Sequence, residues 1–383
     1  MKKVLPFSAL LLLIIAFARL HAIDIAPGTR TAVTDAAVIS LGEEQTILPR
    51  GSFGLIDFPS DGVQVLQTKP FRGLIGSHGL TFLAEGSSLT KIDSCIKVLE
   101  PGGKGSIDNG FISVSGVFRR SDGYMYGICR ILDYEDLPEF QGGTPGYYGR
   151  ISLVQSKDGI SWTKLGSVIE SSTNKQWSAF KWQCDRGIGE NCLTIDRTGK
   201  YVLVYYTEHS RVDNRGVQIC VARASLSDRK SPAEWWKKFY KGSFSQPGLG
   251  GKDTPVMSVA YKNDADAMSP DVKYSPKIGR YIMIFTVNMW REEIKKIEAA
   301  VSGVYVSDSI DGIRWSEPKK LITDYGIIST GRATVWRPTI VFDKGSYTDG
   351  WLVYGRSTSW GFSSGNQPCY MAGRRIHIER KNR

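Results

Sequence analysis

The chain has 383 residues, 41% hydrophobic and 23% charged, with a formal net charge of +11. Those proportions exclude a disordered chain, and the length allows one large domain or two ordinary ones. The Lys and Arg residues are scattered, with no basic helix and no nucleic-acid motif. This excludes a nucleic-acid reader and leaves a solvated basic surface, or attraction to anionic glycans, phosphates or a membrane surface.

In chain order, Lys2-Lys3, the apolar stretch Leu10 to Phe17 and Leu20-His21-Ala22 have the charge, core and cleavage pattern of a secretory signal peptide. Residues 1–22 are therefore left out of the fold. No Cys follows closely, which argues against a lipoprotein anchor, and no later run approaches the ~20 apolar residues of a transmembrane helix. The mature protein is expected to be soluble and secreted or periplasmic. Residues 23–50 read as an N-terminal arm without strong periodicity, and residues 51–383 as a single domain.

The 41 glycines and 17 tyrosines favour an all-β chain with many turns. Strands alternate with Gly- and Asp-rich turns in five similar units. The first has Val63 to Leu66 and Phe71 to Ile75, with Gly76-Ser77-His78-Gly79 closing the hairpin. The second has Phe111 to Phe118, Tyr124 to Ile128 and Ile151 to Gln155, with an acidic loop at Asp133 to Asp136. The third follows Gly187-Ile188-Gly189-Glu190, with strands Leu193 to Ile195, Tyr201 to Tyr206 and Val217 to Ala222. Pro232 to Tyr240 reads as a short helix or aromatic turn. The fourth starts at Met268-Ser269-Pro270-Asp271, continues through Tyr281 to Thr286 and Val301 to Val306, and carries a short helix pattern over Glu292 to Ala300. The fifth runs from Trp336-Arg337-Pro338 through Thr339 to Phe342 and Trp351 to Tyr354 to the last strand, Tyr370 to Glu379.

Two heptapeptides, Ser156 to Trp162 and Ser309 to Trp315, share the pattern S-x-D-G-x-x-W. In such a turn Asp accepts backbone hydrogen bonds, Gly supplies the positive φ and Trp packs the hairpin base. Asp158 and Asp311 are accordingly read as structural. Radially repeated four-stranded units make a β-propeller, and five units fit the length. The predicted fold is an all-β, five-bladed β-propeller. Of the six cysteines, Cys184 and Cys192 are close enough in sequence to bridge a loop, and export permits a disulfide. The spacing fits no zinc pattern.

The hairpin pattern and the S-x-D-G-x-x-W turns resemble the five-bladed β-propeller glycoside hydrolases of glycoside hydrolase family 43 and its relatives. The turns are also similar to a shortened sialidase Asp-box. The resemblance implies three catalytic carboxylates. Asp61, before Val63-Gln64-Val65, is similar to the general base, with Gly62 where the family has Pro. Asp108, before Phe111, looks like the Asp that orients the acid and tunes its pKa. Glu190 looks like the general acid, with Asn191-Cys192 in place of Gly-Pro. The chemistry agrees in kind, because glycosidic cleavage needs one carboxylic acid for the leaving oxygen and one carboxylate for water or the sugar. Asp61 and Asp108 are also natural turn formers; Glu190 has little turn value. Glu208 is a rival acid. Asp133, Glu135 and Asp136 read as a solvated loop or a cation site.

His78, His209, Arg337 and Trp336 are candidates for substrate binding. His78 and His209 lie at strand ends, where they would hydrogen-bond a sugar hydroxyl or tune a carboxylate, and satisfied surface histidines are the alternative. Arg337 would grip a carboxylate or phosphate, or pair with a catalytic Asp. Trp177, Trp182, Trp290, Trp336 and Trp360 would stack on sugar rings or pack between blades. The sequence thus predicts an exported glycosidase acting on a carbohydrate, anionic ones included, as a monomer. No cofactor or catalytic metal is expected, with room for a structural cation on the propeller axis. A non-catalytic carbohydrate-binding propeller is an alternative. So is a glycoside phosphorylase, with Arg337 and His209 as the phosphate site.

Overall fold

The computed structural model describes residues 31–56, 59–137, 146–178, 183, 185–210, 216–227, 232–259, 265–289, 302–322, 334–357 and 369–382. The signal peptide, the 292–300 helix pattern and Trp182, Trp290 and Trp360 lie outside them. The described chain is all-β. Strands β1 (Thr31–Val33) and β2 (Ala37–Leu48) precede the first repeat, formed by β3 (Val63–Thr68), β4 (Phe71–Ser77), β5 (Leu80–Ser88) and β6 (Lys91–Leu99). The second comprises β7 (Phe111–Arg119), β8 (Met125–Asp133), β9 (Tyr147–Ser156) and β10 (Thr163–Ile169). The third comprises β11 (Asp185–Ile195), β12 (Tyr201–Glu208), β13 (Gln218–Ser225), β14 (Lys237–Tyr240) and β15 (Ser243–Pro247). The fourth has β16 (Ala265–Ser275), β17 (Arg280–Met289), β18 (Gly303–Ser309) and β19 (Lys319–Ile322), and the last has β20 (Thr334–Phe342), β21 (Asp349–Ser357) and β22 (Cys369–Arg380).

Within each repeat, neighbours in sequence pair antiparallel. A short parallel pairing of β11 with β9 joins the second and third repeats into one sheet. The arm expected at residues 23–50 is corrected by β2, which pairs antiparallel with β22 and completes the last sheet with strand from the start of the chain. Its signal was the alternation Ala37, Ile39, Leu41, all buried. The stretch Pro232 to Tyr240, read as a short helix or aromatic turn, is one 3₁₀ turn, Pro232–Glu234, followed by β14.

The core is layered between sheets. Among the described residues, separate apolar clusters join the first repeat to the second, the second to the third, the third to the fourth, the fourth to the last, and the last back to the first. Strands covered on both faces read as continuous apolar runs. β8, M-Y-G-I-C-R-I-L-D, is buried throughout and has a single Arg in its middle. The two S-x-D-G-x-x-W turns form as predicted. Asp158 Oδ1 accepts the N–H groups of Ile160 and Ser161 at 2.8 Å each, and Asp311 Oδ1 those of Ile313 and Arg314 at 2.9 and 2.8 Å. Cys192 is a free thiol buried in β11, the alternative to a bridge with Cys184, which lies outside the described residues.

Candidate active site

Register shifts interrupt the first strand of every repeat, and in β3 the shift, between Val65 and Gln67, lies outside the pocket lining. Register shifts fall between Val114 and Gly116 in β7, Gly189 and Asn191 in β11, Met268 and Asp271 in β16, and Trp336 and Thr339 in β20. A β-bulge leaves its extra residue outside the ladder and re-aims the side chain. The residues freed in this way are Ser115, Glu190, Ser269-Pro270 and Arg337-Pro338. Proline has no N–H to give a ladder, so a bulge is where a sheet tolerates it. Ser269 and Arg337 take left-handed φ values of 55° and 50°. In the first repeat, Asp61 stands two residues before β3. Gly62 (φ 78°) follows it at a point where a Cβ would collide with Thr339 Oγ1, which explains why glycine stands there.

These residues converge. Asp61, Glu190, Ser269, Asp271 and Arg337 line one pocket. Arg130, from the middle of β8, reaches both carboxylates. Its Nη1 lies 3.4 Å from Asp61 Oδ1 and its Nη2 3.4 Å from Glu190 Oε1. One guanidinium spanning the two groups keeps the contacted oxygens, Asp61 Oδ1 and Glu190 Oε1, within roughly 9 Å of each other. Arg337 Nη2 lies 2.9 Å from Glu190 Oε1, and its Nη1 donates to Ser269 Oγ at 3.1 Å. His209 Nε2 lies 2.9 Å from Glu190 Oε2, and its Nδ1 lies 2.9 Å from Asp185 Oδ2. The ring is 1% exposed and sits behind Glu190. Aromatic faces complete the setting of Arg130, whose guanidinium lies 4.9 Å from the Phe111 ring centre and 5.9 Å from that of Tyr147.

Burial pushes the Asp61 carboxyl above its usual range, against the downward pull of Arg130 and then Arg337. Ser113 faces the buried Asp61 carboxyl and, like the two guanidinium groups, opposes the effect of burial. Burial also pushes the Cys129 thiol beside the site well up.

The structure brings together four of the residues singled out in the sequence: Asp61, Glu190, His209 and Arg337. It places the others elsewhere. Asp108 is corrected from a tuning residue to a turn anchor. It accepts from Gly102 N at 3.2 Å and from the Ser106 hydroxyl, pairs with Lys164 Nζ of β10 at 2.5 Å, and touches neither Glu190 nor the pocket. His78 is exposed at the β4–β5 turn, outside the pocket lining. Trp336 pairs with Gly355 in β20, and its side chain lies outside what is described. Trp177 is 41% exposed and donates from Nε1 to Ser210 O at 2.8 Å. Glu208, the rival acid, has its carboxyl pushed up to about 7 by burial and then by Asp253, yet it does not line the pocket. Asp133 binds Arg150 at 3.2 Å and Lys175 at 2.8 Å, so the acidic loop is neutralised there by basic side chains. Among the described residues, no group of three or more His, Cys, Asp and Glu side chains could hold a metal ion.

Sequence reasoning missed Arg130, Asp185 and Ser269. Arg130 carried a signal, since a lone cation inside an apolar strand needs a buried anion.

No family model matches the chain, and no curated protein matches it. Solved structures do. A glycoside hydrolase superposes with a TM-score of 0.53 at 13% identity, over 87% of this chain and 91% of its own. An alpha-L-arabinofuranosidase from Lactobacillus brevis gives 0.51 at 10% identity, over 83% and 92%. An N-acetylgalactosamine deacetylase from F. plautii, in complex with blood group B trisaccharide, gives 0.50 at 12%, over 89% and 95%. At these identities the likeness shows the fold, which is the β-propeller architecture of such glycoside hydrolases.

Proposed function

We propose that the chain is an exported glycosidase on a five-bladed propeller, in which β2 completes the last blade, and that it hydrolyses a glycosidic bond with the carboxylate pair Asp61 and Glu190. One observation carries the reading: two buried carboxylates from distant parts of the chain face one pocket, with Arg130 between them and their contacted oxygens within about 9 Å of each other. Paired carboxylates act about 5–5.5 Å apart in retaining glycosidases and about 6.5–9.5 Å apart in inverting ones, and this ceiling admits both. The cyclic order of the inter-sheet clusters supports the blade count. The strand order agrees, since the first strands touch in the order β3, β7, β11, β16, β20, and β20 touches β3.

A second reading is favoured by a specific observation. Both Glu190 oxygens are engaged by Arg130, Arg337 and His209, as they would be in a non-catalytic carbohydrate-binding site. The phosphorylase alternative loses support, because Arg337 and His209 hold Glu190 instead of standing ready for phosphate.

The test is a screen of the purified mature protein on arabinan, xylan, mannan, galactan and anionic glycans, with and without phosphate. Sugar release independent of phosphate, and abolished in the double variant Asp61→Asn/Glu190→Gln at unchanged melting temperature, supports the reading. Binding without release would replace it with the second reading. Release that requires phosphate, or release of acetate alone, would overturn it in favour of a different reaction on the same fold.

A further inference from the structure

We infer that Asp185 is a positioning residue of this site: acting through His209, it sets the tautomer of the ring and holds one proton between His209 Nε2 and Glu190 Oε2. The inference deepens the glycosidase reading above and rests on it. Three side chains form one line of contacts. Asp185 Oδ2 lies 2.9 Å from His209 Nδ1, and His209 Nε2 lies 2.9 Å from Glu190 Oε2. The ring is 1% exposed, so it is shielded from water and each nitrogen has one carboxyl oxygen to meet.

Local structure fixes the ring in that place. His209 directly follows β12, and its N–H donates to Gly187 O at 2.9 Å. Its carbonyl accepts from Gln183 Nε2 at 2.7 Å, and the same nitrogen donates to Asp185 O at 2.8 Å. One buried amide thus clamps the backbone of His209 to that of Asp185. A Cβ at Gly189 would lie 3.1 Å from His209 Nε2, so the glycine leaves room for the ring beside Glu190. Glu208, next in sequence, turns its carboxyl to Ser171 and Ser210.

The hydrogen bonds decide where protons sit. An ionised Asp185 can only accept, so His209 Nδ1 carries the hydrogen of the first contact. A neutral ring of that tautomer has only a lone pair at Nε2, and an ionised Glu190 has only lone pairs at Oε2. Those lone pairs would face each other at 2.9 Å with no hydrogen between them. The contact therefore needs one proton, placed on Glu190 beside a neutral ring or on the ring beside a charged Glu190. Both arrangements have the same net charge, and Asp185 makes the second accessible by facing the imidazolium. Arg337 at 2.9 Å and Arg130 at 3.4 Å occupy Glu190 Oε1, which leaves Oε2 for the proton.

With Glu190 in the acid role that the resemblance implies, the shared proton passes to the glycosidic oxygen as that oxygen's bond to the anomeric carbon breaks and its electron pair leaves with the oxygen. In the inverting course, the water that bonds to that carbon gives its proton to Asp61. Asp61 then returns one proton to solvent, and one proton from solvent refills the contact between His209 and Glu190.

The experiment uses two aryl glycosides of the sugar the wild type releases, one with a phenyl leaving group that needs a proton and one with a 2,4-dinitrophenyl group that does not. Asp185→Asn keeps the size of the side chain and removes the charge facing Nδ1. It is expected to lower kcat/KM about 10²-fold on the phenyl glycoside and under about 5-fold on the dinitrophenyl one, the low end of what general-acid catalysis is worth. His209→Gln is expected to match it, and the double variant to lose no more than the worse single one, since both act on one proton. Equal losses on the two substrates, or losses that multiply in the double variant, overturn the inference. A second readout needs no turnover. With ¹⁵N-labelled histidine, the mature chain gives signals from His78, His209 and His377. Those of His209 are identified by their absence from His209→Gln or, should that variant not fold, by elimination with His78→Gln and His377→Gln. The wild-type ring is expected to carry a hydrogen on Nδ1 at neutral pH, and the ring of Asp185→Ala to carry it on Nε2 instead. A bare Nδ1 in the wild type, or an Nδ1 hydrogen kept in Asp185→Ala, overturns the inference. Absence of turnover on every glycoside would overturn the glycosidase reading, and the tautomer would still decide whether Asp185 sets the ring.

Discussion

Replacing Glu208 by Gln should change how stability depends on pH. Glu208 ends β12, with Oε1 accepting from Ser171 Oγ at 3.1 Å and from Ser210 N at 2.9 Å. Its carboxyl is pushed from 4.5 up to about 7, first by burial and then by repulsion from Asp253, with Lys238 pulling the other way. The folded protein thus holds a proton on Glu208 that the unfolded chain has released, and stability falls as pH rises through this window. From pH 4.5 to 7 the full penalty is about 3 kcal/mol, and solvent at this half-buried group brings it to about 2 kcal/mol. A Gln at 208 keeps an acceptor for both hydrogen bonds and cannot ionise. Urea denaturation at half-unit steps from pH 4.5 to 8 should show the variant gaining about 2 kcal/mol over the wild type by pH 7 to 8, with no such gain at pH 4.5. Parallel curves for the two proteins would refute the reasoning and show Glu208 to be an ordinary solvated carboxylate.

Other perturbations test the frame of the site. Asp271 bonds Ile340 N of β20 through Oδ2 at 2.7 Å and Lys273 through Oδ1 at 2.9 Å, and it is 2% exposed. Asp271→Ala should cost about 3–5 kcal/mol in urea denaturation, as breaking a buried pair does, and a cost under about 1 kcal/mol would show that β16 and β20 do not depend on this tie. Gly187 opens the segment carrying Glu190 at φ 74°, where a Cβ would strike the Gly149 carbonyl of β9. Gly187→Ala should exceed the ~1–2 kcal/mol of the left-handed backbone alone. Gly199→Ala, at φ 70° with open space around it, should show only that part, so equal melting shifts for the two would disprove the clash.

The strands were legible in the sequence where turns punctuate them. Asp158-Gly159 and Asp311-Gly312 mark their hairpins because the side-chain and backbone demands of the turn are local. The site was half legible, for a physical reason. A bulge decides which residue near the start of a first strand turns inward, and a bulge is fixed by pairing with a strand elsewhere in the chain. Glu190 lies on one, whereas Asp108 stands three residues before β7, whose freed position is Ser115. Reading a carboxylate before each first strand therefore found Asp61 and Glu190 but misplaced Asp108, which turns to Lys164. His209 was read as a residue that would bind a sugar hydroxyl or tune a carboxylate, and it meets two carboxylates, Glu190 through one nitrogen and Asp185 through the other.

Apolar layers join the sheets to one another, whereas the charges gathered at the pocket add nothing to those layers and need a reason. The side chains of Asp61, Glu190, Arg130 and Arg337 are 1%, 3%, 6% and 11% exposed. Buried ion pairs are often no more stabilising than apolar residues of similar volume, since desolvation consumes the Coulombic gain. The unpartnered Arg130 Nε adds desolvation with no hydrogen bond in return, and Ser269 and Arg337 add strained backbone. Departures of three kinds, in charge, in hydrogen bonding and in dihedral angle, coincide at one pocket at the starts of the first strands. Packing alone would place none of them there, and a shared chemical task accounts for all three.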